Sequence, residues 1–341
     1  MKLVQTQDAV GHVLCHDITQ IIKGVSKGAA FRKGHVVAEE DIPLLLSLGK
    51  ASLFVWEFQE GMLHENEAAE ILYNICAGEN MSPSEIKEGK IEFIADCDGL
   101  LLVDTERLFG INILGEMAIA TRQGGFAMRK GDKLAGARVI PLVIEQAKME
   151  KAQAIGGATP LLTLLPFNEK RVGIIATGSE VYYGRIKDTF TPVVEMKLAE
   201  YGAKIYERII LPDAPGDITA AILSMVQGGA DMVICTGGMS VDPDDNTPLA
   251  ICNSGAQVAS YGAPVLPGAM FMLAYYKGDI PILGLPGCVM YAERTIFDLV
   301  LPKLMAGVPV AAEDLAALGH GGLCLGCETC TYPNCGFGKG A

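Results

Sequence analysis

Three short loops carry the residues whose types and spacing could do chemistry. The first is Thr177-Gly178-Ser179-Glu180, followed by Asp188. The second is Thr236-Gly237-Gly238-Met239-Ser240, running on to Asp245-Asn246-Thr247-Pro248. The third is Leu285-Pro286-Gly287-Cys288. Each follows a short apolar run that reads as a buried strand, and each precedes a helical pattern. Ligands of open parallel sheets bind beyond the carboxyl ends of the strands, so three such loops can converge on one ligand. Glycines let the backbone approach, and helix N-termini present N–H groups to an anion. The loops therefore predict a phosphate-bearing small molecule, with Glu180, Asp188 and Asp245 available to hold a metal or move a proton. Taken singly, each acid has an ordinary alternative: Asp188 and Asp245 as helix caps, Glu180 as a solvated loop acid.

A separate group lies near the end of the chain. Cys324, Cys327, Cys330 and Cys335 follow the spacing C-x2-C-x2-C-x4-C. Four thiols within twelve residues of a cytosolic chain predict metal ligation rather than disulfides. A Cys₄ set suits Zn²⁺, and the C-x2-C-x2-C run also suits an iron–sulfur cluster. The other cysteines, Cys15, Cys76, Cys97, Cys235, Cys252 and Cys288, are scattered and read as small apolar residues or free thiols.

The elements that position these groups follow from periodicity and turn chemistry. After residue 170 the pattern is regular. Strands are predicted at Arg171–Ala176, Lys204–Leu211, Asp231–Cys235 and Ile280–Leu285. Helices are predicted at Asp188–Tyr201, Asp217–Gln227 with Asp217 as cap, from Thr247 to Asn253 with Asp245 or Asn246 as cap, and as one long helix over Cys288–Leu304. Alternating strands and helices imply a mostly parallel sheet covered on both faces. Residues 1–165 read as an α+β region, β-rich at its start. Its predicted elements are a short capped helix at Asp41–Gly49, a strand at Leu53–Trp56, and a helix at Glu65–Cys76. Two strands, Ile91–Cys97 and Gly99–Asp104, are predicted around an Asp98-Gly99 turn, with a helix at Ile111–Ala118. The domains expected are thus 1–165, 166–310 and a Gly/Cys-rich tail at 311–341, appended to the last helix.

Composition narrows the function classes. The chain has 341 residues, half of them hydrophobic, and a net charge of −13. That acidity argues against nucleic acid and against anionic membrane surfaces, both of which want a basic footprint. A small anion is still accommodated, because oriented backbone N–H groups hold phosphate without net positive charge. No signal-peptide pattern and no apolar run of membrane-spanning length is evident, so a cytoplasmic protein is expected.

The three loops, in this order, resemble the molybdopterin-binding domain shared by molybdopterin adenylyltransferases, molybdopterin molybdotransferases and gephyrin-type fusions. Thr236-Gly237-Gly238 with Asp245 and Thr247-Pro248 looks like that family's TGG…D.TP signature. Thr177-Gly178-Ser179-Glu180 looks like its TG-[DS]-E loop, and Leu285-Pro286-Gly287 like its LPG loop. The resemblance covers about residues 171–304 and implies a three-layer αβα domain. It implies molybdopterin or adenylated molybdopterin as ligand. Thr177, Gly178, Ser179, Thr236, Gly237, Gly238, Ser240, Thr247, Pro286 and Gly287 would contact it. Asp188 and Asp245, with Glu180 third, would serve Mg²⁺ and the phosphates. It also implies a homo-oligomer and, for a carrier, a molybdoenzyme partner. Cys288 and Val289 stand where the family usually has Asn-Pro, and Asp242 where molybdotransferases usually have Gly. Residues 1–165 do not show the usual Asp-Gly-Tyr-Ala opening of those enzymes.

Three functions fit these residues. One is a molybdotransferase-like enzyme of molybdenum-cofactor biosynthesis. The second is a non-catalytic molybdopterin carrier or sensor. The third is a nucleotide pyrophosphatase-like relative of the competence-damage-inducible family.

Overall fold

The computed structural model describes residues 2–22, 26–55, 60–240, 242 and 245–340. The chain divides into two compact units. The first comprises Met1–Cys97, Val103–Arg122 and Arg129–Leu164. The second comprises Asp98–Leu102, Gln123–Met128 and Leu165–Ala341.

The first unit begins with strand Lys2–Gln5 antiparallel to Ser52–Val55. Ala9, Leu14, Ile18, Leu45 and Val55 close a small core there. Trp56, the predicted end of the second strand, lies outside the described residues. The capped helix is Ile42–Ser47, with Pro in its first turn, where a missing N–H costs nothing. A four-stranded antiparallel sheet follows, in the order Met81–Pro83, Lys90–Ala95, Lys133–Val139, Met117–Thr121. Helix Glu65–Cys76 buries Ala68, Ala69, Leu72 and Cys76 along one stripe, as its 3.6-residue spacing dictates.

Two expectations fail in this region. The predicted hairpin around Asp98-Gly99 does not form: Lys90–Ala95 pairs within the first unit, while Gly99 and Leu100 pair with Met128 and Ala127 in the second. The helix predicted at Ile111–Ala118 is instead a helix at Thr105–Asn112 and a strand at Met117–Thr121. Gly115 and Glu116, both at positive φ, form the break between them.

The second unit is a six-stranded sheet. Its strands are β1 Arg171–Thr177, β2 Lys204–Leu211, β3 Met232–Thr236, β4 Gln257–Tyr261, β5 Met272–Tyr276 and β6 Ile280–Leu285. The spatial order is β2-β1-β3-β6-β5-β4. The first four of these are parallel, and β5 and β4 are antiparallel additions. The sequence reading did not anticipate those two strands, because neither is followed by a helix. The main helices are α1 Phe190–Ala199, α2 Pro215–Gln227, α3 Thr247–Asn253, α4 Ile296–Met305 and α5 Ala312–Ala317. Strand β1 is buried from Val172 to Thr177 and β3 along its whole length, which requires cover on both faces. One face packs Ile175, Val233 and Ile282 against α2 and α3. The other carries Ile174, Ile234 and Leu283, and α1 and α4 supply buried Val194, Leu198 and Phe297. The unit is therefore a three-layer αβα domain, as expected.

Its details correct the reading at three points. Helix α2 starts at Pro215 with Ala214 as cap, so Asp217 sits in its first turn. The long helix predicted over Cys288–Leu304 is a 3₁₀ turn at Gly287–Met290 and a separate α4. Thr295 restarts the helix with a reciprocal cap: its hydroxyl accepts from Phe297 N–H, and Asp298 accepts from Thr295 N–H at 2.7 Å. Third, the tail is not an appendage. Leu266 N–H donates to Gly322 O and Cys324 N–H donates to Leu266 O, each at 2.8 Å. Tyr332 Oη donates to the Asp298 carbonyl at 3.2 Å, and Phe337 is buried.

Asp298 is the polar centre of this packing. It is 3% exposed and holds Lys197 Nζ of α1 at 2.7 Å and Arg294 Nη1 at 2.9 Å. Removing one partner of a buried pair strands the others. Asp298→Ala is expected to lose about 3–5 kcal/mol of stability, because Lys197, Arg294 and the Thr295 N–H all lose an acceptor. Urea unfolding of the variant beside the parent checks this, and a loss under about 1 kcal/mol would contradict it.

Candidate functional site

The carboxyl ends of four parallel strands are in register. Thr177 pairs with Leu211, Ala176 with Thr236, and Thr236 with Leu285. The loops leaving β1, β2, β3 and β6 therefore start from one edge of the sheet. From β1 the chain continues to β2 on one side and to β3 on the other. The crevice between β1 and β3 is thus the topological switch point, where open α/β sheets take their ligands. The Thr177-Gly178-Ser179 and Thr236-Gly237-Gly238 loops flank it.

Thr247 ties these two loops together. It is fully buried at the start of α3. Its Oγ1 donates to Gly237 O at 2.8 Å and lies 3.2 Å from Thr177 Oγ1. Its N–H donates to Gly238 O at 3.2 Å. Both glycines have positive φ, +83° and +56°. A Cβ on Gly237 would run into the Thr177 carbonyl, and one on Gly238 would stand 2.9 Å from Thr247 Oγ1. The loops can interlock this closely only with glycine at both positions.

Asp213 supplies the second tie, and the sequence reading missed it. Its Oδ2 accepts from Ser179 N–H at 2.8 Å and from Ser179 Oγ at 3.0 Å. Its carbonyl accepts from Asn246 Nδ2 at 3.1 Å. The signal was present in Leu211-Pro212-Asp213-Ala214-Pro215, which follows an edge strand of the same parallel set.

The three acids singled out from sequence are placed separately. Asp188 Oδ1 accepts from Phe190 N–H at 2.9 Å and Thr191 N–H at 3.1 Å, so it caps α1. Asp245 and Asp242 close a small turn: Asp242 N–H donates to Asp245 Oδ2 at 3.0 Å, and Asp245 N–H donates to Asp242 O at 2.9 Å. Glu180 is exposed in the one-turn helix Ser179–Tyr182, and Ser240 is exposed after the glycines. Among the described residues, no three His, Cys, Asp or Glu side chains stand together as a group able to hold a metal ion. In the third loop, Pro286 caps the turn Gly287–Met290, and a Cβ on Gly287 would meet nothing within 4 Å. Burial pushes the Cys288 thiol up, so this loop presents a neutral S–H at neutral pH. Burial likewise pushes Cys235 up to about 12, as befits an apolar core residue. Cys252, by contrast, is exposed.

Residues 173–306 match the family model described as "Probable molybdopterin binding domain", and residues 3–57 match a domain of unknown function. The 173–306 segment is thus a member of the molybdopterin-binding domain family. Among curated proteins, a CinA-like protein of Mycobacterium leprae (strain TN) is 36% identical over 77 residues. That alignment covers 23% of this chain and 18% of the relative. A CinA-like protein of Mycobacterium tuberculosis (strain ATCC 25618 / H37Rv) gives the same figures. The chain thus spans less than a fifth of the length of these relatives. Among solved structures, the molybdopterin biosynthesis enzyme MoaB from Thermus thermophilus is 21% identical, with a TM-score of 0.33. It aligns with 41% of this chain and 98% of its own. The protein CinA from Thermoplasma acidophilum is 17% identical, with a TM-score of 0.32, over 35% of this chain and 89% of its own. Among the described residues, no helix is long and apolar enough to cross a membrane.

The interlock yields a direct test. Thr247→Val keeps the shape but leaves Gly237 O without its buried donor, at an expected cost of about 1–3 kcal/mol. Thermal unfolding measures it, and an unchanged midpoint would show that the hydroxyl bridge contributes nothing.

Proposed function

We propose that the second unit binds molybdopterin or adenylated molybdopterin through the crevice between β1 and β3, as a protein of molybdenum-cofactor biosynthesis. One observation carries this: both glycine loops of the family signature stand at the switch point, locked by Thr247. The Gly237 and Gly238 carbonyls are turned towards Thr247, which favours N–H groups on the opposite side of the loop for phosphate oxygens. Thr177, Gly178, Ser179, Thr236, Gly237, Gly238, Ser240, Thr247, Pro286 and Gly287 form the binding set, and Asp213 positions Ser179.

In the catalytic form of this reading, Mg²⁺ arrives with the ligand phosphates. Such an ion needs only one or two protein carboxylates, and Asp245 and Asp188 are the first candidates, with Glu180 third. The ion would polarise the phosphoanhydride during molybdate insertion. Asp213, already at the site, positions Ser179 through its Oδ2. In the non-catalytic form, the same loops hold the cofactor for delivery to a molybdoenzyme. The four tail thiols form a separate metal site, for zinc or an iron–sulfur cluster. A homo-oligomer and a cytoplasmic location complete the proposal.

The similarity to CinA-like proteins favours one competing reading, in which the ligand is a nucleotide without a pterin and the chemistry is pyrophosphate cleavage. Mass spectrometry of ligand released from anaerobically purified protein separates the two. A pterin phosphate or its adenylate is expected, and a pterin-free nucleotide would overturn the proposal.

Asp245→Asn keeps the acceptor for Asp242 N–H but removes a full charge. If Asp245 holds the ion, turnover of adenylated molybdopterin should fall at least about tenfold, a change of about 1.4 kcal/mol in the barrier, with binding little changed. Equal rates across a Mg²⁺ series would confine Asp245 to its turn.

A further inference from the structure

The four tail thiols line one cavity. It has a volume of about 480 Å³ and lies beside the start of α4. Cys324, Cys327, Cys330 and Cys335 all contribute to its wall, together with Arg294 and Tyr332. All four cysteines are free thiols.

The loop that carries them is held at both ends. Cys324 N–H donates to Leu266 O at 2.8 Å, and beyond the fourth cysteine Gly338 N–H donates to Gly321 O at 2.9 Å. Between these ties, Tyr332 anchors the loop. Its hydroxyl donates to Asp298 O, Arg294 lies 5.1 Å over its ring, and Phe337 packs 6.3 Å away. A loop pinned in this way keeps its thiols around a common interior at little further ordering cost.

We propose that Cys324, Cys327, Cys330 and Cys335 ligate one [4Fe–4S] cluster in this cavity. The proposal rests on the reading of the tail thiols as metal ligands and is independent of the pterin reading. Three observations choose a cluster over a single ion. A tetrahedral zinc ion draws every sulfur to about 2.3 Å from one point and leaves no space of its own. Here no three of the thiols stand close enough together to hold a single ion, and all four are spread around a cavity with room for a multi-atom group. The C-x2-C-x2-C run is the spacing with which bacterial cluster proteins supply three thiolates, and the fourth, five residues on, belongs to the same pinned loop. Finally, buried Phe337 on the wall limits water on one side of the cavity.

The site also adjoins the third ligand loop. Tyr291 and Ala292, on the cavity wall, both donate their N–H groups to Cys288 O, at 3.2 and 2.9 Å.

Iron, acid-labile sulfide and zinc in anaerobically purified full-length protein decide the matter. About four irons and four sulfides per chain are expected, with negligible zinc. Cys330→Ser and Cys335→Ser should each lose most of the iron, whereas Cys252→Ser, outside the loop, should keep it. One zinc per chain without iron would overturn the cluster, as would protein without bound metal. The parent's own metal content decides even if a variant fails to fold. Titration of the same samples with adenylated molybdopterin reads the other site separately, so failure of one reading leaves the other visible.

Discussion

The site depends on one buried hydroxyl. Thr247 Oγ1 reaches the Gly237 carbonyl and meets Thr177 Oγ1, and through them the ends of two adjacent parallel strands are fastened to the first residue of α3. Strand register alone would leave two glycine loops free to wander beyond the sheet edge. A fully buried threonine with both its hydroxyl and its N–H engaged fixes them against each other. Asp213 does the same for Ser179 from the neighbouring strand end. The loops are held by polar contacts in place before any ligand arrives, which is the condition for a preorganised anion site.

The same physics explains why the acids are dispersed. Asp188 and Asp245 each have one carboxylate oxygen bonded to backbone N–H groups. Asp188 caps α1 and Asp245 closes its turn, and the remaining lone pairs of each are available to a cation. A site of this kind gains its metal with the ligand, since phosphate oxygens and water complete the shell of a small hard ion. Further along, the buried Lys197–Asp298–Arg294 group ties α1 to α4 and lends its Asp298 carbonyl to Tyr332. The polar centre of the domain is thereby also the anchor of the cysteine loop.

Much of this domain was legible in the sequence. Lys204–Leu211, Ile280–Leu285 and the helix from Thr247 to Asn253 appear within the bounds that periodicity set. Buried parallel strands are continuous apolar runs, and their helices carry recognisable first turns. The antiparallel strands β4 and β5 were not legible, because the βαβ rhythm stops there. The break before α4 was missed because Gly287–Ile296 reads as helical by composition, while Thr295 and Asp298 cap a new start. At the site, the glycine loops were legible through their residue types. Asp213 was not, since it acts by a contact 34 residues away along the chain. The docking of the tail was hidden for a related reason: a Gly- and Cys-rich segment looks unstructured until the Leu266 backbone and the Tyr332 ring that hold it are seen together.

The central claim is that four strand-end loops close on one phosphate-bearing pterin. Amide hydrogen exchange with and without adenylated molybdopterin tests it most directly. The account predicts slowed exchange at 177–182, 211–214, 236–240 and 285–290 together, with the far edge of the sheet at Gln257–Tyr261 unchanged. Protection absent from the two glycine loops, or confined to other parts of the chain, would contradict it.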